Sequence, residues 1–251
     1  MDQLKDKIAL VTGSAHTIGK AIAIGLAKEG ADIVMADRDI EAMEKTKKEI
    51  EAYGVQVLAV PTDVLEDEQI TNLFTETMNK FGRLDILVNN AGIFGGGPLD
   101  EISTETWDNV IGTSLRSAFL CTRNAFGIMK KQGGGRILNM GSVSAQRVRK
   151  FNAPYSSGKF ALVGLTHTTA LEGREFGITC GILHPGEVTR DRPFTPPPGM
   201  KPPSGPRPEP QPQMTPEEIA AGALYMLTAP PYVNVLELTQ FHLEQTLMGR
   251  G

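Results

Sequence analysis

Alternation is the feature that most constrains this chain. Through its first 190 residues, short β-branched runs take turns with longer stretches of helical apolar spacing. Strands are expected at 7–12, 33–37, 55–60, 86–89, 136–140 and 178–183, and helices at 17–29, 40–53 and 66–81. Two longer helices are expected from about 103 to 131 and from about 154 to 176. Further on, a helix starting at Pro216 and a strand at 233–238 close the pattern. Parallel strands need crossover connections, so the pattern predicts an α/β fold: a doubly wound parallel sheet with helices on both faces. At 251 residues the whole chain, 1–251, fits one domain.

One segment breaks the rhythm. Ten of the 17 prolines lie between Pro193 and Pro212, which excludes a helix or a central strand there. Residues 190–213 are read as an extended, Pro-rich lid, because the segment leaves the carboxyl end of a strand, where open α/β sheets take their ligands. The alternative is a plain solvated loop. The residues from 239 to 251 form a C-terminal tail.

Charge and cysteine usage narrow the class. With 25 basic and 29 acidic residues the net charge is −4 and no basic stripe exists, so nucleic acid and anionic membranes are poor partners. No run is long and apolar enough for a membrane span, and the charged start does not read as a signal peptide. Cys121 and Cys180 sit apart in apolar segments and read as reduced core thiols, pointing to the cytoplasm. His16, His167, His184 and His242 show no metal-ligand spacing, so no metal is expected.

Two constellations carry chemistry. Immediately after the first strand, Thr12-Gly13-Ser14-Ala15-His16-Thr17-Ile18-Gly19 opens a helix, and such a turn offers backbone N–H groups to a diphosphate. Asp37, eighteen residues past Gly19, ends the second strand; a carboxylate there accepts ribose hydroxyls and repels a 2′-phosphate, favouring NAD over NADP. Arg38 and His16 are the cations that argue the other way. Tyr155 and Lys159 stand four apart at the start of a helix, so phenol and ammonium share a face, and the ammonium is expected to lower the phenol. Ser142, thirteen residues earlier at a strand end, is placed to hold a substrate oxygen while the phenol moves a proton. Arg147, Arg149 and Lys150 lie between them and are read first as a solvated loop, with attraction of an anionic substrate as the alternative. His184 reads as a structural hydrogen-bonding residue.

These motifs resemble the short-chain dehydrogenase/reductase family in its single-domain branch. The carriers are Thr12-Gly13 to Gly19, Asp63-Val64, Asn89-Asn90-Ala91-Gly92, Ser142, Tyr155 to Lys159 and Pro185-Gly186. The resemblance implies a Rossmann-like sheet of seven strands in the order 3-2-1-4-5-6-7. It implies hydride transfer between a nicotinamide and a secondary alcohol or ketone, with Tyr155 as acid/base and Lys159 also binding the nicotinamide ribose. Asp63 and Val64 would meet the adenine, Asn90, Ala91 and Gly92 would lie beside the adenosine ribose, and Pro185, Gly186 and Val188 would border the nicotinamide. Paired long helices, rich here in small residues such as Gly112, Ser114, Ser117, Ala118, Ser156, Ser157, Gly158, Ala161 and Gly164, imply a homo-oligomer, a tetramer or dimer.

The sequence also departs from that family. Thr17 stands where the family has Gly, and Ser114 where it has the Asn of a proton relay. Asn109 is too far around the helix to substitute. The threonine after Val188 comes one residue early, as Thr189, and the tail lacks the usual Asp-Gly-Gly ending. Thr17 and Ser114 support the alternative of a dinucleotide-binding protein with weak or no catalysis, a sensor or scaffold.

Overall fold

The computed structural model describes residues 2–197, 199–200 and 211–246. Its frame is one parallel sheet of seven strands in the order β3-β2-β1-β4-β5-β6-β7. The elements run β1 (Ile8–Thr12), α1 (Thr17–Lys28), β2 (Asp32–Asp37), α2 (Ile40–Glu51), β3 (Val57–Pro61), α3 (Asp67–Phe81) and β4 (Ile86–Asn89). There follow α4 (Thr104–Ile111), α5 (Ser117–Gln132), β5 (Gly135–Met140), α6 (Ala153–Gly173), β6 (Ile178–Pro185), α7 (Pro216–Leu227) and β7 (Glu237–Gln240).

The central strands are predominantly apolar because both faces are covered. In β1, Ala9 and Val11 join a core with Ile22 and Leu26 of α1, Met43 and Ile50 of α2, and Ile219 and Ala223 of α7. Ile8 and Leu10 face the other way, packing with Ile70, Leu73 and Phe74 of α3 and with Leu120, Ala125 and Met129 of α5. Each fully buried Val, Leu, Ile, Met or Phe among them contributes about 1.5–3 kcal/mol of transfer free energy. Side-chain caps set several helix starts: Asp39 accepts from the Ala42 N–H at α2, and Thr215 with Glu218 forms a capping box at α7.

A polar ladder crosses the second core layer. Asn89 of β4 donates to Asn139 of β5 at 2.8 Å, Asn139 donates to Thr166 of α6 at 2.8 Å, and all three are buried. It fixes α6 against the strand that leads to Ser142, so two candidate site residues are held in a common frame.

Several boundaries differ from the expectation. The strand expected at 233–238 lies at Glu237–Gln240, because its register is set by pairing with β6 (Ile182 with Glu237) rather than by the apolar Val233 and Val235. The helix expected from about 103 to 131 is interrupted by a π-helical turn at Gly112–Arg116, where the Ser117 N–H reaches back to the Gly112 carbonyl. The helix expected at 40–53 ends at Glu51. Eleven of the 24 residues of the Pro-rich lid, 198 and 201–210, and the end of the tail, 247–251, lie outside the described residues. No helix among the described residues is long and apolar enough to cross a membrane.

Candidate active site

The site lies at the carboxyl ends of the strands. After β1 the chain turns through Gly13, whose φ of 64° suits glycine, into α1. Gly19 is required by contact: a Cβ there would lie 2.0 Å from the Gly13 carbonyl oxygen. Asn90, after β4, clamps the turn by donating to the carbonyls of Thr12 (3.0 Å) and Gly13 (2.9 Å). The Thr12 hydroxyl accepts from the N–H groups of Asn90 and Ala91. Ser14 Oγ is buried with no hydrogen-bond partner among the described residues.

Asp37 at the tip of β2 accepts from the N–H of Ala15 (3.0 Å) and of Asp39 (3.1 Å), which ties it to the glycine turn; Arg38 beside it is exposed. Asp63 accepts from the Leu65 N–H at 3.0 Å, and Val64 is buried. Ile18 packs against the core through the first turn of α1.

Thr17 is the strained position. Its φ is 46°, left-handed and unfavourable for a β-branched residue. Its N–H donates to Asp191 Oδ2 at 2.8 Å and its hydroxyl to Asp191 Oδ1 at 2.6 Å. His16 bridges two acids, with Nε2 2.9 Å from Asp39 and Nδ1 3.7 Å from Asp191. The Thr17 hydroxyl is thus engaged by a carboxylate of the same chain.

The second constellation forms where β5 and α6 meet. Lys159 is buried and donates from Nζ to the Met140 carbonyl at 2.6 Å; burial pushes its ammonium down to about 8. Tyr155 sits one turn earlier, with the Lys159 ammonium 5.6 Å from its ring centroid. The phenol departs from expectation: burial raises it above the ordinary tyrosine value. A hydrogen bond from Ser142 and the charges of Arg190 and Arg149 oppose this, while Glu187 adds to it. The spacing shows that phenol and ammonium are neighbours but not that the phenol is enclosed, and here enclosure dominates. Phe94 packs on the phenol ring at 5.4 Å, Phe194 meets Phe94 edge-on at 5.8 Å, and Arg190 lies over Phe194 at 5.3 Å.

Ser142 is fixed from behind. His184 is fully buried, its Nδ1 3.0 Å from the Ser142 carbonyl oxygen and 3.3 Å from its N–H, and its pKa is lowered, mainly by burial. Ser114, carried on the π turn, is buried with its Oγ unpartnered among the described residues. A Cβ on Gly92 would lie 3.5 Å from Ser114 Oγ and 3.6 Å from Lys159 Nζ, so these two groups flank one point. Asn109 donates to the Glu105 carbonyl instead.

Pro185 ends β6, and the Gly186 N–H donates to Gln240 at 2.8 Å. Gln245 of the tail accepts from the Glu187 N–H at 2.9 Å, and Val188 bridges to Met214. The basic loop is exposed at Arg147, Arg149 and Lys150, as a solvated loop is; Arg149 is paired with Glu187, and Arg149 and Lys150 line a groove of about 530 Å³ with Leu99, Val148, Phe151 and Phe160. Sequence spacing does not single out Phe94, Phe194, Asp191 or Gln245, which reach the site from loops: Phe94 just after the Asn89-Asn90-Ala91-Gly92 motif, Asp191 and Phe194 from the start of the lid, and Gln245 from the tail.

The sheet order and the glycine turn define a Rossmann-like α/β protein. A family model described as short chain dehydrogenase matches residues 7–192. The chain is 40% identical over 185 residues to an uncharacterized oxidoreductase, YxjF, of Bacillus subtilis, covering 74% of this chain and 72% of that protein. It is 38% identical over 185 residues to the (2S)-[(R)-hydroxy(phenyl)methyl]succinyl-CoA dehydrogenase subunit BbsD of Thauera aromatica, covering 74% of each. Among solved structures, an alcohol dehydrogenase of the archaeon Thermococcus sibiricus complexed with 5-hydroxy-NADP superposes with a TM-score of 0.83 at 29% identity, covering 95% of this chain and 97% of that one. The chain belongs to the short-chain dehydrogenase family of oxidoreductases.

Proposed function

We propose that this protein transfers hydride between NAD(H) and a secondary alcohol or ketone, with Tyr155 as the acid/base. The observation that carries this reading is the convergence of the Tyr155 phenol, the Ser142 hydroxyl and the buried Lys159 ammonium beside the glycine turn. The residues suit a dinucleotide: the turn is glycine-lined, and Ser14 and Ser114 keep buried hydroxyls without a partner among the described residues. Gly13, Thr17, Ile18 and Gly19 would hold its diphosphate, Asp37 and Arg38 its adenosine ribose, and Asp63 and Val64 its adenine. Asn90, Ala91 and Gly92 would lie beside the adenosine ribose, Lys159 would hold the nicotinamide ribose, and Pro185, Gly186 and Val188 would border the nicotinamide, which supplies the hydride chemistry. In carbonyl reduction Ser142 holds the substrate oxygen and the phenol Oη gives it a proton; oxidation runs the proton back. Ser114 extends the path from Lys159. Asp37 is the reason for NAD, since its carboxylate repels a 2′-phosphate.

The test is absorbance at the NADH band with a panel of secondary alcohols and ketones, run with NAD(H) and NADP(H) in parallel. Arg190 beside the phenol supports a substrate with a carboxylate, so keto acids are expected to exceed matched neutral ketones in kcat/KM by about tenfold, the size of one charge-assisted contact. Equal rates on both sets would remove the anionic preference. Inertness across the panel with intact NADH binding would favour the second reading, a dinucleotide-binding protein without catalysis, which Thr17 at φ 46° supports.

We also infer a homo-oligomer. Ser114, Ser117, Ala118, Ser156 and Gly158 pack within the chain, but Ser157, Phe160, Ala161, Gly164 and Leu171 form an exposed stripe on α6, with Phe119 exposed on α5. Sedimentation is expected to give a species of at least twice 27.1 kDa, and a purely monomeric boundary would contradict this. Two buried, free cysteines suit a reducing compartment such as the cytoplasm. Residues 190–213 are read as a lid on a single domain spanning 1–251.

A further inference from the structure

One departure from the family's pattern, Thr17, is held by a residue that follows closely on another, Thr189. Thr17 replaces the glycine of the turn, and Asp191 follows the altered Glu187-Val188-Thr189-Arg190 segment, 174 residues away. One carboxylate takes both donors of Thr17, N–H and hydroxyl, and lies 3.7 Å from His16. No side chain of the adjoining loop caps α1, so Asp191 is the anion at the start of this twelve-residue helix. A carboxylate is favoured there by the N–H groups and the helix dipole, as a phosphate would be. The segment carrying it is fastened behind: the Thr189 N–H donates to Met214 and the Met214 N–H to Glu187, both at 2.9 Å. Its next residues continue into the site, since Arg190 covers Phe194 and Phe194 meets Phe94 on the Tyr155 ring.

We propose that Asp191 is a built-in competitor for the cofactor's diphosphate, latching the segment after β6 onto the phosphate turn until a dinucleotide displaces it. The inference rests on the dinucleotide reading above. Carboxylate and diphosphate use the same donors and repel each other, so they exclude one another. A latch of this kind lowers apparent affinity by the fraction of molecules in which it is open. It also links the two halves of the site: releasing Asp191 moves the backbone of Arg190 and, through it, the aromatic wall over the phenol, so nucleotide binding remodels the substrate side.

The test uses the full chain, with NADH binding followed by fluorescence and backbone exchange followed by hydrogen–deuterium mass spectrometry. Asp191→Asn and Asp191→Ala are expected to bind NADH about tenfold tighter than wild type, as for a latch open in about one molecule in ten. ADP-ribose should show the same gain and adenosine none, because only the former carries the diphosphate. Exchange at the Thr17 amide should quicken in both variants, and NADH should quicken exchange across 187–194 in wild type. Equal or weaker NADH binding in both variants overturns the latch and leaves the dinucleotide reading standing. Failure of wild type and variants alike to bind NADH or NADPH overturns both.

Discussion

Tyr155→Phe is expected to lower turnover by about 10²–10⁴-fold, the range a positioned proton donor contributes, while NADH affinity stays within about twofold of wild type. The ring keeps its packing on Phe94, so the variant removes one oxygen and little else. Because burial holds the phenol above the ordinary tyrosine value, it carries its proton throughout the neutral range. Carbonyl reduction needs that proton, so its rate should be flat from pH 6 to 9 and fall only under strongly alkaline conditions. Alcohol oxidation needs the phenolate, so its rate should climb with pH across the same interval. Undiminished turnover in the Phe variant would remove the phenol from the reaction. An oxidation rate that is level between pH 7 and 9 would show that another group takes the proton.

The second large effect concerns Lys159. Its buried ammonium is displaced from 10.5 to about 8, so between those values the unfolded chain holds a proton that the folded chain lacks. Folding stability therefore rises with pH through this window, by about 3 kcal/mol in all, and the cost is fully present below pH 8. Lys159→Met removes the charge and the hydrogen bond to Met140, a loss of about 1 kcal/mol set against that relief. The variant should be more stable than wild type by about 1–3 kcal/mol at pH 7, with the gap closing by pH 10, and should lose at least about a hundredfold in turnover. Urea unfolding at the two pH values reads the first part and initial rates the second. A stability difference independent of pH would mean the ammonium is well solvated and the window absent.

The readable part of this molecule was the part written locally. Parallel β–α alternation, the glycine turn and the i, i+4 pair of Tyr155 and Lys159 each depend on near neighbours, and each stands in the structure as spaced. What escaped was set by distance. A residue inserted into helical hydrogen bonding leaves the apolar period nearly intact, so the π turn that aims Ser114 inward has no signature. The last strand was misplaced because an edge strand takes its register from one partner and needs few apolar residues. The phenol is raised rather than lowered because it is buried: Phe94, 61 residues away, packs on its ring and Phe194 packs on Phe94, which spacing within a helix does not report. Asp191 was invisible for the same reason. A single acid in a loop acquires meaning only from what it touches.

The amide ladder beneath the site has a corollary for how such a chain can drift. Asn89, Asn139 and Thr166 are joined in series, and Asn89 also donates to Thr122, so an apolar replacement at one rung strands polar atoms on its neighbours in the interior. Exchange at these positions is easiest in concert: a hydrocarbon trio is an accessible alternative, whereas its intermediates are penalised. Three residues that never meet substrate thus restrict the evolutionary routes open to the strands and helix that do.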